Sequence, residues 1–247
     1  MKTPSRPRLA EPRDLTAIFR DSLVVFYENL GALLTLAAAV VVPMQLIVSG
    51  FGLEQVTAAY DPTPSPATYA IPGLLNLLVI TPLITAICIH ALNSVAAGER
   101  PQPRRALVEG FDAFSKIFYA VALAALGAAL GLLVLVLPGI YLFFRWYFVP
   151  QAVVIAGAAG PAALTHSADL THRRWWRTFG IVVVANLAAL IPGLIIAAPF
   201  TAIADSTDRA VWSLVGTMVT ETFTAPFLAL VSTFLYYDLR ARGSGAG

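Results

Sequence analysis

Six apolar stretches, each close to the length that crosses a lipid bilayer, recur along this 247-residue chain. A helix needs about 20 apolar residues to cross a hydrocarbon core that is about 30 Å thick. The stretches are residues 30–51, 71–96, a run that ends at Leu137, 140–158, 176–204 and 210–237. Because lipid cannot satisfy backbone polar groups, each span must form its own hydrogen bonds. The pattern therefore predicts an all-α, polytopic membrane protein with six transmembrane helices.

The composition excludes several other classes of protein. Hydrophobic residues make up 58% of the chain and charged residues 12%, whereas soluble domains have about 45–50% and about 25%. A net charge of +2 is too small to indicate nucleic-acid binding, so we predict no such partner. The single cysteine, Cys88, lies inside an apolar run, which excludes a disulfide framework and a zinc site.

The chain divides into one domain with two short ends. Residues 1–13 are basic and contain three prolines, so we predict a disordered cytoplasmic N-terminus. Residues 14–242 form a single six-helix membrane domain, and residues 243–247 form a flexible tail. Residues 52–69 are rich in proline and lack lysine and arginine, which predicts a loop.

Interfacial amphipathic helices are predicted beside the spans. Leu107, Phe111, Phe114 and Phe118 recur on one helical face, opposite a charged face. A similar apolar face begins at Leu15 and continues through Ile18, Leu23 and Phe26, and a weaker one lies between residues 160 and 174.

The distribution of basic residues predicts the orientation. Fourteen of the 16 lysines and arginines precede the first span, follow the sixth, or lie between the second and third or the fourth and fifth spans. Because basic loops stay in the cytoplasm, we predict a multi-pass protein of the inner (cytoplasmic) membrane with both termini cytoplasmic.

Arg145 is a candidate functional residue because charge inside hydrocarbon is unfavourable by about 2.5–3.5 kcal/mol. It lies six residues after the Pro138-Gly139 pair, which we predict to be the outer turn between the third and fourth spans. At about 1.5 Å per residue, Arg145 would be about 9 Å below that turn. Three roles remain open: snorkelling to the outer interface, a structural ion pair, and substrate binding.

Glu221 is a second candidate, eleven residues after Ala210 and hence about 16 Å deep in the sixth span. We hypothesise that it pairs with Arg145, since both enter from the predicted outer side. Asn186, Gln151 and His90 complete a candidate intramembrane polar site. Their alternative role is hydrogen bonding between helices, which contributes about 1 kcal/mol or less per residue.

The sequence favours a non-enzymatic protein without a cofactor or a metal site. No phosphate-binding glycine loop and no H-E-x-x-H or G-x-S-x-G motif is present. His166, Asp169 and His172 are spaced three apart, which spreads them over about 120° of a helix rather than on one metal-binding face. The simpler interpretation is a solvated cytoplasmic helix.

Three segments carry a resemblance to a known family. They are LPGIYLFFRWYFVPQAVVIAG at residues 137–157, ALTHSADLTHRRWWRTFG at 163–180 and STFLYYDLRAR at 232–242. The chain resembles the membrane domain that accompanies some bacterial glycerophosphoryl diester phosphodiesterases. It departs from that pattern at Ala156, where family members often carry glutamate. Because no catalytic domain follows Arg242, the resemblance implies the membrane part alone and not the phosphodiesterase activity.

Two functional hypotheses follow from these observations. The first is a membrane-organising or accessory protein that contacts membrane lipids and a protein partner or a second copy of itself. The alternative is a small-solute or lipid transporter with a polar intramembrane site at Glu221 and Arg145. A cavity that holds both residues and at least two buried amides would favour transport, and a dry packed bundle would favour the first hypothesis.

Overall fold

The computed structural model describes residues 11–49, 58–63 and 65–244, and within these ranges it contains helices and connecting segments but no strand. The all-α prediction is therefore confirmed. Most of the predicted disordered N-terminus lies outside the described residues, as do residues 50–51 of the predicted first span, residues 52–57 and 64 of the predicted loop and residues 245–247 of the predicted tail. The last helix extends into that tail as far as Ser244.

The helices follow one another with short connections. They are α1 (Leu15–Glu28), α2 (Leu30–Val48), α3 (Pro66–Leu75), a π-helical segment (Asn76–Ile80), α4 (Thr81–Ala96), α5 (Pro103–Val134), α6 (Val136–Arg145), α7 (Val149–Ala156), α8 (Pro161–His172), α9 (Trp175–Thr207) and α10 (Val211–Ser244).

Six helical stretches among the described residues are long and apolar enough to cross a membrane. They are Leu30–Val48, Pro72–Ala96, Pro103–Val134, Val136–Ala156, Trp175–Thr207 and Val211–Gly243. The predicted six-span architecture is therefore confirmed, and the second span begins within α3, which starts earlier than the sequence predicted.

The turn between the third and fourth spans lies at Leu135 and not at Pro138-Gly139. Leu135 is extended, with φ −158° and ψ 145°, whereas Pro138 and Gly139 belong to the first turn of α6. Proline is tolerated there because the first backbone N–H groups of a helix have no partner within it. The sequence prediction was wrong about this turn because it read the proline as a break and not as a helix start.

Glycines allow α5 and α6 to pack backbone against backbone. A Cβ atom on Gly139 would lie 2.6 Å from the backbone nitrogen of Leu132, and one on Gly131 would lie 3.0 Å from the Cα of Gly139. Small residues permit such close contact between helices in membranes. The hairpin is therefore held by direct contact close to its turn.

The first predicted interfacial helix packs largely against protein. Asp14 caps α1 by accepting a hydrogen bond from the backbone N–H of Ala17 at 2.9 Å. Ile18 is 0% exposed, and the rings of Phe19 and Phe26 lie 6.4 and 6.2 Å from that of Phe227 on α10. Much of the apolar face of α1 is thus covered by the sixth span.

The second predicted interfacial helix is part of a longer element. The stripe that begins at Leu107 lies within the first turns of α5, which continues without a break to Val134. Phe111 and Phe118 on this stripe are exposed, while Leu107 and Phe114 pack against the core. The stripe therefore marks the beginning of a span and not a separate helix.

The beginning and the end of the domain meet at the buried carboxylate of Asp238, which is 0% exposed. Asp238 accepts hydrogen bonds from the backbone N–H of Arg13 at 2.6 Å, from Nε of Arg177 at 3.1 Å and from Nε of Arg242 at 2.8 Å. The Nη2 atoms of Arg177 and Arg242 both donate to the carbonyl of Arg13 at 2.6 Å. We call these four residues the Asp238 cluster.

The loops at the opposite end of α10 also bond to each other. The backbone N–H of Ala210 donates to the carbonyl of Ala58 at 3.2 Å, and that of Tyr60 donates to Oδ1 of Asp208 at 3.1 Å. Asp238 lies 27 residues after Val211, the first residue of α10, so most of this helix separates these loops from the Asp238 cluster. Arg13 and the end of α10 therefore lie at the same end of the molecule, as an even number of spans requires.

We expect Asp238→Asn to destabilise the protein strongly, because the carboxamide loses the charge and turns a donor towards an arginine. Breaking a buried ion pair by removing one partner costs about 3–5 kcal/mol. Tryptophan fluorescence during thermal unfolding in detergent measures the effect. Asp169→Asn is the matched control, since Asp169 is exposed on α8. Equal melting temperatures for the two variants would contradict a stabilising role for the cluster.

Candidate functional site

Glu221 joins three helical segments near the middle of the bundle. Its Oε2 atom accepts a hydrogen bond from Nε2 of Gln45 on α2 at 2.8 Å. Its Oε1 atom accepts one from Nδ2 of Asn76 at 2.9 Å, and Oδ1 of Asn76 accepts from the hydroxyl of Thr81 at 2.8 Å. Both carboxyl oxygens are therefore satisfied by neutral donors, and no basic side chain among the described residues contributes.

The amide side chains of Gln45 and Asn76 lie beside local distortions of their helices. Asn76 is the first residue of the π-helical segment, a distortion that is frequent at functional sites. Pro82, in the first turn of α4, cannot donate a backbone hydrogen bond to the preceding turn. Pro43 lies inside α2, two residues before Gln45. Each amide therefore comes from a helix whose regular bonding is interrupted close by.

The Glu221 site opens into a groove of about 900 Å³ between α9, α10, the π-helical segment and α6. Its polar lining includes Asn76, Asn186, Thr220 and Glu221, and the buried hydroxyl of Thr220 has no hydrogen-bond partner in the part of the chain that the structure describes. The remaining wall is largely apolar and includes Phe143, Phe144, Leu187, Leu190, Leu194, Ala197 and Leu228. An amphipathic ligand suits this combination.

Two predicted site residues, Asn186 and Gln151, lie in or beside this groove. Asn186 lines it, with its Nδ2 donating to the carbonyl of Val182 one turn earlier at 2.8 Å. Gln151 is buried, and its Nε2 donates at 3.0 Å to the hydroxyl of Ser232, which lines the groove. Gln151 therefore supports the wall rather than facing the space.

Arg145 lies elsewhere, so the hypothesis of an Arg145–Glu221 pair is wrong. Its guanidinium donates to the hydroxyl of Tyr141 at 3.3 Å and lies 5.9 Å from the centre of that ring. Its carbonyl accepts hydrogen bonds from Ser167 at 3.0 Å and Thr171 at 3.2 Å on α8. The prediction failed because it assumed one straight helix, whereas α6 ends at Arg145.

Arg145 also does not lie on the predicted outer side. Tyr141, one turn earlier, accepts a hydrogen bond through its carbonyl from Nε1 of Trp175 at 3.3 Å. The neighbouring Arg174 donates to the carbonyls of Leu239 and Arg242, which belong to the end of the chain. These contacts lie near the Asp238 cluster and away from the loops at Ala58 and Asp208, so Arg145 is grouped with the basic segments.

His90 takes part in a separate polar network. Its Nδ1 lies 2.9 Å from Oε2 of Glu109, whose Oε1 accepts a hydrogen bond from Nε of Arg105 at 2.7 Å. This network connects α4 with α5 and does not line the groove. Of the five predicted site residues, the structure brings Glu221 and Asn186 together in the groove, with Gln151 in its wall.

Sequence reasoning missed the Asp238 cluster and the role of two hydroxyls on α8. Ser167 and Thr171 both bond to the carbonyl of Arg145, and the backbone N–H of Phe148 donates to the Ser167 hydroxyl at 3.2 Å. They thus bridge the break between α6 and α7. The available signal was spacing: Ser167 and Thr171, like Asp238 and Arg242, lie four residues apart and hence on one helical face.

Residues 105–239 match the family described as Domain of unknown function (DUF7847). The chain belongs to this family. The DUF7847 region contains Arg145, Asn186, Glu221 and Asp238, whereas Gln45 precedes it. No curated protein and no solved structure matches the chain. The family match provides no link to glycerophosphoryl diester phosphodiesterases, so that resemblance stays a prediction.

A double-mutant cycle tests the contacts of Glu221. We expect Gln45→Ala and Glu221→Ala to show a coupling energy of about 1 kcal/mol, the size of a hydrogen bond between helices in a membrane. The matched cycle of Arg145→Ala with Glu221→Ala should show coupling close to zero. Unfolding free energies in mixed micelles provide both values. A larger coupling in the arginine cycle would contradict the contacts described above.

Proposed function

We propose that this DUF7847 protein is a non-enzymatic, multi-pass membrane protein that binds a lipid-like amphiphile in the Glu221 groove. Through that binding it would organise the membrane or serve a partner protein as an accessory subunit. The groove itself is the main support, because it combines an apolar wall with one acidic and two amide side chains, those of Glu221, Asn76 and Asn186.

The chemistry of the groove favours binding over bond cleavage. The carboxyl oxygens of Glu221 are already engaged by Gln45 and Asn76, so the group is oriented and held. A ligand headgroup with N–H or O–H donors could reach the remaining lone pairs of these oxygens. Its chain would cover the apolar wall, which is the usual division of roles in a small-molecule site.

The proposed location is the inner membrane, with both termini in the cytoplasm. The Asp238 cluster places residues from the beginning of the domain, the start of α9 and the end of α10 side by side. Arg105, at the start of α5, belongs to another basic segment. Basic residues grouped in this way support a cytoplasmic assignment for that end.

A side chain that fills the groove tests the proposal. We expect Ala197→Trp to remove amphiphiles that co-purify with the wild-type protein, because Ala197 lines the groove. Ala198→Trp is the control, since Ala198 is exposed on the same helix and does not line it. Native mass spectrometry after mild extraction counts the bound molecules. Equal retention by both variants would count against the groove as the binding site.

Transport of a lipid or small solute is the second candidate function. The polar lining of the groove favours it, as does the helical distortion at Asn76, because interrupted helices form substrate sites in many transporters. Arg145 is not part of this transport hypothesis, because it does not line the groove.

Reconstituted vesicles separate transport from binding alone. If the protein moves lipids, NBD-labelled phosphatidylethanolamine on the inner leaflet should become accessible to dithionite, and Glu221→Gln should slow that exposure. Empty vesicles and Asp169→Asn vesicles are the controls. Bleaching limited to the outer leaflet in wild-type vesicles would reject lipid transport and leave the binding function.

A further inference from the structure

A second pocket lies where α6 meets the junction of α8 and α9, and it shares no lining residue with the Glu221 groove. It has a volume of about 610 Å³. One side is formed by α6, and the other by the residues that end α8 and begin α9. Its lining consists of Leu137, Ile140, Tyr141, His172, Arg173, Arg174, Trp175, Trp176 and Arg177.

The charged side chains that line this pocket are all basic. Three arginines line it and no carboxylate does. Arg174 and Arg177 are engaged, since Arg174 donates to the carbonyls of Leu239 and Arg242, and Arg177 donates to Asp238. Arg173 is exposed and has neither an ion pair nor a side-chain hydrogen bond with any described residue. The pocket therefore offers an unused guanidinium to an anion.

Aromatic contacts fix the shape of the pocket. Nε1 of Trp175 donates to the carbonyl of Tyr141 at 3.3 Å, and the two rings stack with their centres 5.9 Å apart. Trp176 packs edge-on against Trp175, with the ring centres 4.8 Å apart. These contacts connect α6 to the start of α9, so the basic residues are held beside α6.

The other edge of the pocket is apolar and uncovered. Leu137 is 80% exposed and Trp176 is 78% exposed, and Ile140 is also exposed. Tryptophan side chains concentrate where the membrane meets water. The pocket thus places apolar side chains next to arginines, an arrangement that matches a lipid whose phosphate and acyl chain leave the glycerol in different directions.

We propose that this pocket binds an anionic glycerophospholipid. The phosphate contacts Arg173, while an acyl chain lies along Leu137, Ile140 and Trp176. Charge complementarity selects an anionic headgroup over a zwitterionic one, because no carboxylate in the lining would attract a choline or an ethanolamine. The site is separate from the Glu221 groove, so each can be tested without the other.

Titration with a short-chain phosphatidylglycerol, followed by native mass spectrometry, tests the site. Since one surface arginine contributes about 1 kcal/mol towards an anionic lipid, Arg173→Gln should weaken binding about fivefold. The matched control is Arg240→Gln, which removes the same charge from an exposed position on α10 outside the pocket. Short-chain phosphatidylcholine and inorganic phosphate are the comparison ligands.

Each outcome of the titration is decisive. Loss of phosphatidylglycerol binding in Arg173→Gln but not in Arg240→Gln, with weak binding of phosphatidylcholine, supports the site. Equal losses in both variants would overturn it in favour of a diffuse surface charge. Inorganic phosphate that displaces phosphatidylglycerol at equal concentration would overturn the lipid assignment in favour of a free-anion site. Ala197→Trp should bind phosphatidylglycerol like wild type, which keeps this test distinct from that of the groove.

Discussion

The buried carboxylate of Asp238 sets the arrangement on which both proposed ligand sites depend. A buried charge is tolerated only when its oxygens are fully paired, and here two guanidinium groups and one backbone N–H provide the pairing. These bonds fix the start of α1 and the start of α9 against the end of α10. From that fixed end, Glu221 lies 17 residues back along α10, about 25 Å away, level with Gln45 and Asn76.

The polar contacts of Asn76 and Arg145 inside the bundle lie where helices are interrupted. The π-helical segment at Asn76 carries one of the two amides that orient Glu221. The break after Arg145 exposes a carbonyl that Ser167 and Thr171 satisfy, and this bonding draws α8 against α6. Backbone groups freed in lipid must find new partners, so each break requires a polar side chain from another element, and these required contacts shape both pockets.

The sequence predicted the spans because they depend on composition. Apolar runs must be long enough to cross the bilayer, so this prediction requires no knowledge of packing. The partners of Glu221 were not predictable in this way, since Gln45 and Asn76 reach it only through the relative rotation of three helices. Arg145 was misplaced because depth along a straight helix does not foresee a break at residues 146–148.

The two proposed sites differ in sign, and this difference constrains what each can bind. The groove presents the acidic oxygens of Glu221 in an apolar setting without a basic side chain in its lining, where an anionic headgroup would lose its hydration and gain no opposite charge. The pocket at Arg173 is lined by three arginines and by no carboxylate, so anions are favoured. An anionic lipid held at Arg173 is therefore a poor ligand for the groove, which should prefer a neutral or cationic headgroup. The protein would thus sort amphiphiles by charge between its two sites.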